Sequence, residues 1–247
     1  MSLMIEEIME NPVVFGFIVL AFILTWLFKN YTSQKVKRTY EKYLNVETST
    51  GLTGLEAARK LLDANQLSHV QIEESKGFLS DHYDSSEQVI RLSDSNFNQS
   101  TLAGIAIAAH EIGHAIQDAN KSRLYRFRKS IMNFIIFSVR IKLQYILIVI
   151  GVGMIVLGIE TEMLPDTQAM RMASAALILI GVALPVLDTF FPIVTLSVEI
   201  DASKRALAML KELEMINDDE EEKQTKEILD AAALTYVSAV FESAFDE

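Results

Sequence analysis

The sequence predicts a mainly α-helical membrane protein, with three transmembrane helices and a cytoplasmic α+β domain that holds a small antiparallel sheet. Three observations carry that prediction. Three apolar runs of roughly bilayer length, at residues 12–28, 143–159 and 173–192, interrupt an otherwise charged chain. Residues 70–92 alternate apolar and polar side chains with period two, the pattern of half-buried strands. Residues 102–118 read as a helix that is apolar nearly all round, yet has His110, Glu111 and His114 in its middle.

Composition agrees. The chain has 247 residues, half of them apolar. Its mean hydropathy is +0.24, higher than is usual for a soluble enzyme. The formal net charge of −11 disfavours a nucleic-acid partner, because binding phosphates requires a basic surface. The absence of cysteine excludes disulfides and thiolate metal ligands.

Taken in order, residues 1–11 form an extracytoplasmic N-terminus and residues 12–29 the first transmembrane helix. Glu6, Glu7 and Glu10 precede the run and Trp26, Leu27 and Phe28 end it, which fits a retained anchor rather than a cleaved signal. Residues 30–142 are the cytoplasmic catalytic region, beginning with a polar helical neck at 31–48. Residues 52–65 read as a helix with Thr53 and Glu56 as a capping box. Two or three antiparallel strands follow at 70–92, with a turn at 84–86. The helix at 101–118 comes next, with Asn98 or Ser100 near its cap. Residues 126–142 mix basic side chains with Phe127, Ile131, Phe134, Ile135 and Phe137. They read either as an amphipathic helix on the membrane surface or as a lead into the second span.

The second and third transmembrane helices fall at 143–160 and 173–193, joined by an outer loop at 161–172. Pro185 and Pro192 predict a kink, and Asp188 predicts a face turned to protein or water. Residues 194–247 return to the cytoplasm as two helices, separated by the acidic run 218–222, which reads as a solvated loop. Basic residues concentrate between Lys29 and Lys142. The positive-inside rule therefore places the N-terminus outside and the active site on the cytoplasmic side of a multi-pass protein of the cell membrane.

Burying two histidines and a glutamate in an apolar helix is costly unless something satisfies them. A metal does so economically. Residues i and i+4 stack on one helix face, so His110 and His114 can reach one ion, while Glu111 is turned by roughly 100° and can reach a water. A catalytic zinc usually takes three protein ligands. His69, His82 and Glu199 are candidates for the third. Two predicted crossings separate His114 from Glu199 and return the chain to the same side. Oxyanion donors, by residue type, are His82, Tyr83 and Tyr236. The strand segment Glu87, Val89 and Arg91 is a candidate for pairing with an extended substrate.

These residues carry a family resemblance. "STGLTGLEAARKLL", "LSDHYD", "VIRLSD", "AAHEIGHAIQDA", "SVEIDASKRAL" and "LDAAALTYVSA" resemble, in order, the bacterial neutral zinc metallopeptidases. That family comprises YugP-like membrane proteases, more distantly similar to the HtpX and CAAX prenyl proteases. The resemblance implies a zincin-like catalytic domain, one zinc per chain held by His110, His114 and Glu199, and Glu111 as general base. In the CAAX-type pattern an aspartate four residues after the ligand glutamate orients a histidine. Here that position is Ser203, and Asp201 and Asp118 stand as candidates for the same task.

The expectation is a membrane-embedded, gluzincin-like zinc metalloendopeptidase that hydrolyses peptide bonds of membrane or membrane-associated proteins with a zinc-activated water. Its expected partners are the lipid bilayer, protein or peptide substrates, and a membrane-protein partner or a second copy of the chain. The competing reading is a non-catalytic zinc-binding membrane adaptor or scaffold.

Overall fold

The computed structural model describes residues 12–77, 80–159 and 167–242. Its elements are α1 (Pro12–Tyr43), α2 (Gly54–Ala64), β1 (Gln71–Ser75), β2 (His82–Asp84), β3 (Val89–Ser93), α3 (Asp94–Asn98), α4 (Leu102–Ala119), α5 (Arg123–Arg140), α6 (Leu143–Ile159), α7 (Gln168–Glu212) and α8 (Asp219–Glu242).

Helix α4 is the centre of the fold. Every residue from Leu102 to Gln117 is buried, because α2, α3, β2, β3, α7 and α8 all pack around it. Its cap is Thr101, not Asn98 or Ser100: the Thr101 hydroxyl accepts from the Gly104 amide at 3.1 Å. Helix α2 starts at the expected capping box. The Thr53 hydroxyl accepts from the Glu56 amide, and the Glu56 carboxylate accepts from the Thr53 amide at 2.9 Å. Each such cap contributes about 1 kcal/mol. Ala57, Ala58, Leu61 and Leu62 then bury the inner face of α2. Gly54 is required there, since a Cβ would fall 1.8 Å from the Asn96 carbonyl oxygen.

The sheet is mixed rather than antiparallel. Its order is β1-β3-β2, with β1 parallel to β3 and β2 antiparallel to it. The β2–β3 hairpin turns where expected, with the Asp84 carboxylate accepting from the Ser86 and Glu87 amides at 2.8 and 3.1 Å. Strand β3 nevertheless enters between β1 and β2 and so is central, with Val89, Ile90, Leu92 and Ser93 all buried. Both of its edges are paired. The segment Glu87, Val89 and Arg91 therefore cannot take a substrate strand, and the outer strand beside α4 is β2.

Among the described residues, no helix is long and apolar enough to cross a membrane. This overturns the expectation of three transmembrane helices and leaves the multi-pass arrangement unsupported. The described part of helix α6 has 17 residues, or about 26 Å of rise, short of the ~30 Å of a hydrocarbon core. Helices α1 and α7 run for 32 and 45 residues, but their later halves enter the domain. Val36, Tyr40 and Tyr43 of α1, and Val198, Ala202, Ala206 and Leu210 of α7, are buried. The expected neck at 31–48 and the expected helix after residue 194 are thus largely continuations of longer helices. The N-terminal 11 residues, the loop at 160–166, and the side chains of Pro185, Asp188 and Pro192 lie outside the described residues.

Helices α6 and α7 pack closely through glycines. A Cβ on Gly151 would fall 2.7 Å from Ile178, and one on Gly181 would fall 2.8 Å from Ile148. The acidic run is not a free loop. Asp218 accepts from the Glu221 amide at 2.7 Å, and the following acids form the first turn of α8, where the helix dipole favours them. Glu221 is itself buried and accepts from the Ser49 and Asn217 amides.

Candidate metal centre

His110 and His114 project from one face of α4 with ring centroids 4.8 Å apart, edge to face. Gly113, between them, lets α7 approach: a Cβ there would lie 2.7 Å from the Ala202 carbonyl oxygen. The approach brings Glu199, about one helical turn before Ala202, over both rings. Its Oε2 lies 3.1 Å from His110 Nε2 and 3.1 Å from His114 Nε2. Glu199 is fully buried, and its Oε1 accepts from Arg128 Nη1 of α5 at 2.9 Å.

The far sides of the rings are held as well. His114 Nδ1 lies 3.0 Å from Gln117 Oε1. The Gln117 amide nitrogen donates to the Val198 carbonyl at 2.9 Å and to Asp201 Oδ2 at 2.8 Å, which fixes Oε1 as the acceptor. His114 Nδ1 is therefore the donor of that bond. His110 Nδ1 meets the Ser203 hydroxyl at 3.2 Å. Arg205 also binds Asp201, at 2.7 Å. Burial raises the Asp201 carboxyl, but the bonds from Arg205 and Gln117 outweigh it and hold the group below the usual range.

This donor set fits a metal. With its proton on Nδ1, a neutral His114 turns the Nε2 lone pair toward a carboxylate oxygen, and His110 Nε2 meets the same oxygen. Two imidazole nitrogens and a carboxylate oxygen thus converge in a buried space, a set that a cation would satisfy. Among the described residues, His110, His114 and Glu199 form the one group of potential ligands placed to share an ion. Burial pushes the Glu199 carboxyl up, but bonds to the two imidazoles outweigh that and hold it well below the usual carboxylate range.

Glu111 sits beside the group without joining it. Burial, first, pushes its carboxyl up to about 7. His110 draws it down, Glu199 and Asp81 push it further up, and the Tyr83 backbone N–H draws it down.

The remaining expected residues are more dispersed. His69 and His82 are exposed and take no part in the triad, and His82 Nδ1 instead meets the Ser80 carbonyl at 2.8 Å. Asp118 does not orient a histidine. It accepts from the Tyr83 hydroxyl at 3.2 Å, and burial followed by the Asp118 charge pushes that phenol well above its ordinary value. Asp201 acts through Gln117 rather than directly. The Tyr236 side chain lies outside the described residues. Gln117, Ser203 and Arg128 were not singled out as partners of the ligands. Gln117 three residues after His114, and Ser203 four after Glu199, were the available signals, since both spacings repeat on one helix face. Nothing local marks Arg128.

Residues 17–246 match the profile of a family described as "Putative neutral zinc metallopeptidase". The chain belongs to this family. It is also 36% identical over 213 residues to the "Putative membrane protease YugP" of Bacillus subtilis (strain 168), covering 86% of this chain and 85% of that protein. No solved structure matches significantly. For a member of a zinc peptidase family, the buried triad of His110, His114 and Glu199 is the candidate zinc site.

Proposed function

We propose that the protein is a zinc endopeptidase, with His110, His114 and Glu199 holding the metal and Glu111 moving the proton. The observation that carries this reading is the convergence of three buried potential ligand atoms beside a glutamate that stays outside the triad. Zinc, when bound, supplies Lewis-acid chemistry, lowering the pKa of water and polarising a carbonyl.

The chain's own residues do the rest. Ser203 and Gln117 hold the imidazoles so that both Nε2 atoms face Glu199, and Asp201 fixes the Gln117 amide. Arg128 occupies Oε1 of Glu199 and leaves Oε2 turned to the histidines. The Glu111 carboxylate accepts a proton from the attacking water and returns it to the leaving amine nitrogen. Its buried position shields that proton from bulk exchange.

Membrane or membrane-associated proteins are the proposed substrates. The name of the Bacillus relative supports this, as do exposed Val149, Val152, Leu179 and Val182 on α6 and α7, which offer an apolar face to a bilayer. A structural zinc site tends to fill four positions with side chains, whereas three ligands and a neighbouring glutamate suit catalysis. Glu111→Gln should keep zinc and lose casein hydrolysis, and His110→Ala should lose both. Full hydrolysis by Glu111→Gln would refute the mechanism.

A further inference from the structure

Two adjoining cavities are lined by helix α5 and by Tyr83 of β2. The smaller, about 180 Å³, is lined by Tyr83, Tyr125, Arg128, Lys129 and Asn133 among others. Two of its lining residues lead toward the triad: the Tyr125 ring lies 6.2 Å from that of His114, and Arg128 binds Glu199. The larger, about 690 Å³, shares Tyr83, Lys129 and Asn133 and extends to Asp118, Lys121 and Arg126. That volume is within the range of small-molecule sites and has room for peptide side chains.

The charge of the larger cavity opposes that of the protein. The chain carries −11 overall, yet this cavity gathers Lys121, Arg126 and Lys129 against Asp118 alone. Asp118 is already engaged by the Tyr83 hydroxyl. Among the described residues, none of the three cations forms an ion pair. Elsewhere in the domain Arg59, Arg91, Arg128, Arg205 and Lys211 do form ion pairs. Helix α5, which forms this wall, has five basic residues and no acid.

We infer that this cavity is a substrate subsite for an acidic side chain, so that the enzyme prefers peptides with Glu or Asp close to the cleaved bond. The inference rests on the endopeptidase reading above. Tyr83 and Lys129 border both cavities, so a peptide spanning them would place one residue beside Tyr125 and Arg128, next to the triad, and a near neighbour among the cations. A carboxylate there gains charge-assisted hydrogen bonds that an amide cannot match.

The test uses two pools of unstructured peptides, identical except that each carries Glu or Gln at one position, with cleavage sites mapped by mass spectrometry. The zinc-loaded full-length protein should cleave Glu peptides with kcat/KM about tenfold higher at one fixed position from the cut, a ratio typical of one charge-assisted contact. Lys129→Glu combined with Arg126→Glu should lower kcat/KM for Glu peptides to or below that for Gln peptides. Binding of the same pools to Glu111→Gln, read by fluorescence anisotropy, should show the same Glu preference without turnover. Cleavage with no Glu preference leaves the endopeptidase reading intact and overturns the subsite. If neither pool is cleaved, the endopeptidase reading fails on these peptides, and equal binding of Glu and Gln pools would still overturn the subsite. Equal binding of the pools, with charge-sensitive binding to phosphatidylglycerol but not phosphatidylcholine vesicles, would assign the cations to lipid headgroups instead.

Discussion

Replacing Glu111 by Gln changes two separable quantities. Burial and nearby carboxylates push this carboxyl from 4.5 to about 7 in the metal-free protein. A group whose folded pKa is raised contributes stability that is fully present below its unfolded pKa and is lost as pH rises through the folded value. A displacement of about 2.5 pH units, at ~1.4 kcal/mol each, corresponds to about 3 kcal/mol. Gln keeps the shape and an acceptor for the Tyr83 amide but never ionises. Metal-free Glu111→Gln should therefore gain about 3 kcal/mol on metal-free wild type between pH 4.5 and pH 8. Urea unfolding of chelator-dialysed protein at pH 5, 6, 7 and 8 measures this, read as the change in midpoint at constant slope. Zinc should shrink the gap at pH 8, because the cation offsets the buried carboxylate. Peptide hydrolysis by the zinc-loaded variant should fall at least 10²-fold, the usual loss for a general base. A stability difference that does not change with pH would refute the burial argument.

Other substitutions probe the supports of the site. Gly113→Ala should cost roughly 1–3 kcal/mol and weaken zinc binding, because its methyl group would push α7, and Glu199 with it, away from the histidines. Thermal unfolding and zinc titration would show both effects. Gln117→Leu removes the acceptor for His114 Nδ1 and should lower zinc affinity by about 10- to 100-fold, measured by competition with a chelating dye. Arg128→Met leaves Glu199 Oε1 unpaired in a fully buried site and should weaken zinc by a similar factor of about 10–100. Zinc affinity should fall as the pH falls, because protons and the metal compete for the same imidazole nitrogens. Calorimetry in buffers of different ionisation enthalpy would register the released protons.

Helix α4 could be read from local pattern alone. The spacing of His110, Glu111 and His114 and the unbroken apolar surround predicted burial, and α4 is buried along nearly its whole length. The capping box at Thr53 was legible for the same reason, since its chemistry spans four residues. Glu199 could only be suspected, because its meeting with the histidines depends on Gly113 and Ala202 letting two helices approach. The central position of β3 was hidden because periodicity reports which face of a strand is buried, not which edges are paired. The apolar runs misled in another way. Hydropathy located them, but α1 and α7 extend past them into the domain, and among the described residues no helix is long and apolar enough to span. Ser203, Gln117 and Arg128 became visible only once three helices were placed together.

X-ray absorption at the zinc edge of the purified protein addresses the metal site most directly. One zinc per chain is expected, with two imidazole nitrogens near 2.0–2.1 Å and carboxylate oxygen near 2.0–2.2 Å. Glu199→Ala should lose the carboxylate component and most of the bound metal. A protein purified with no zinc after growth in zinc-replete medium, or a coordination sphere unchanged in both Glu199→Ala and His114→Ala, would contradict it.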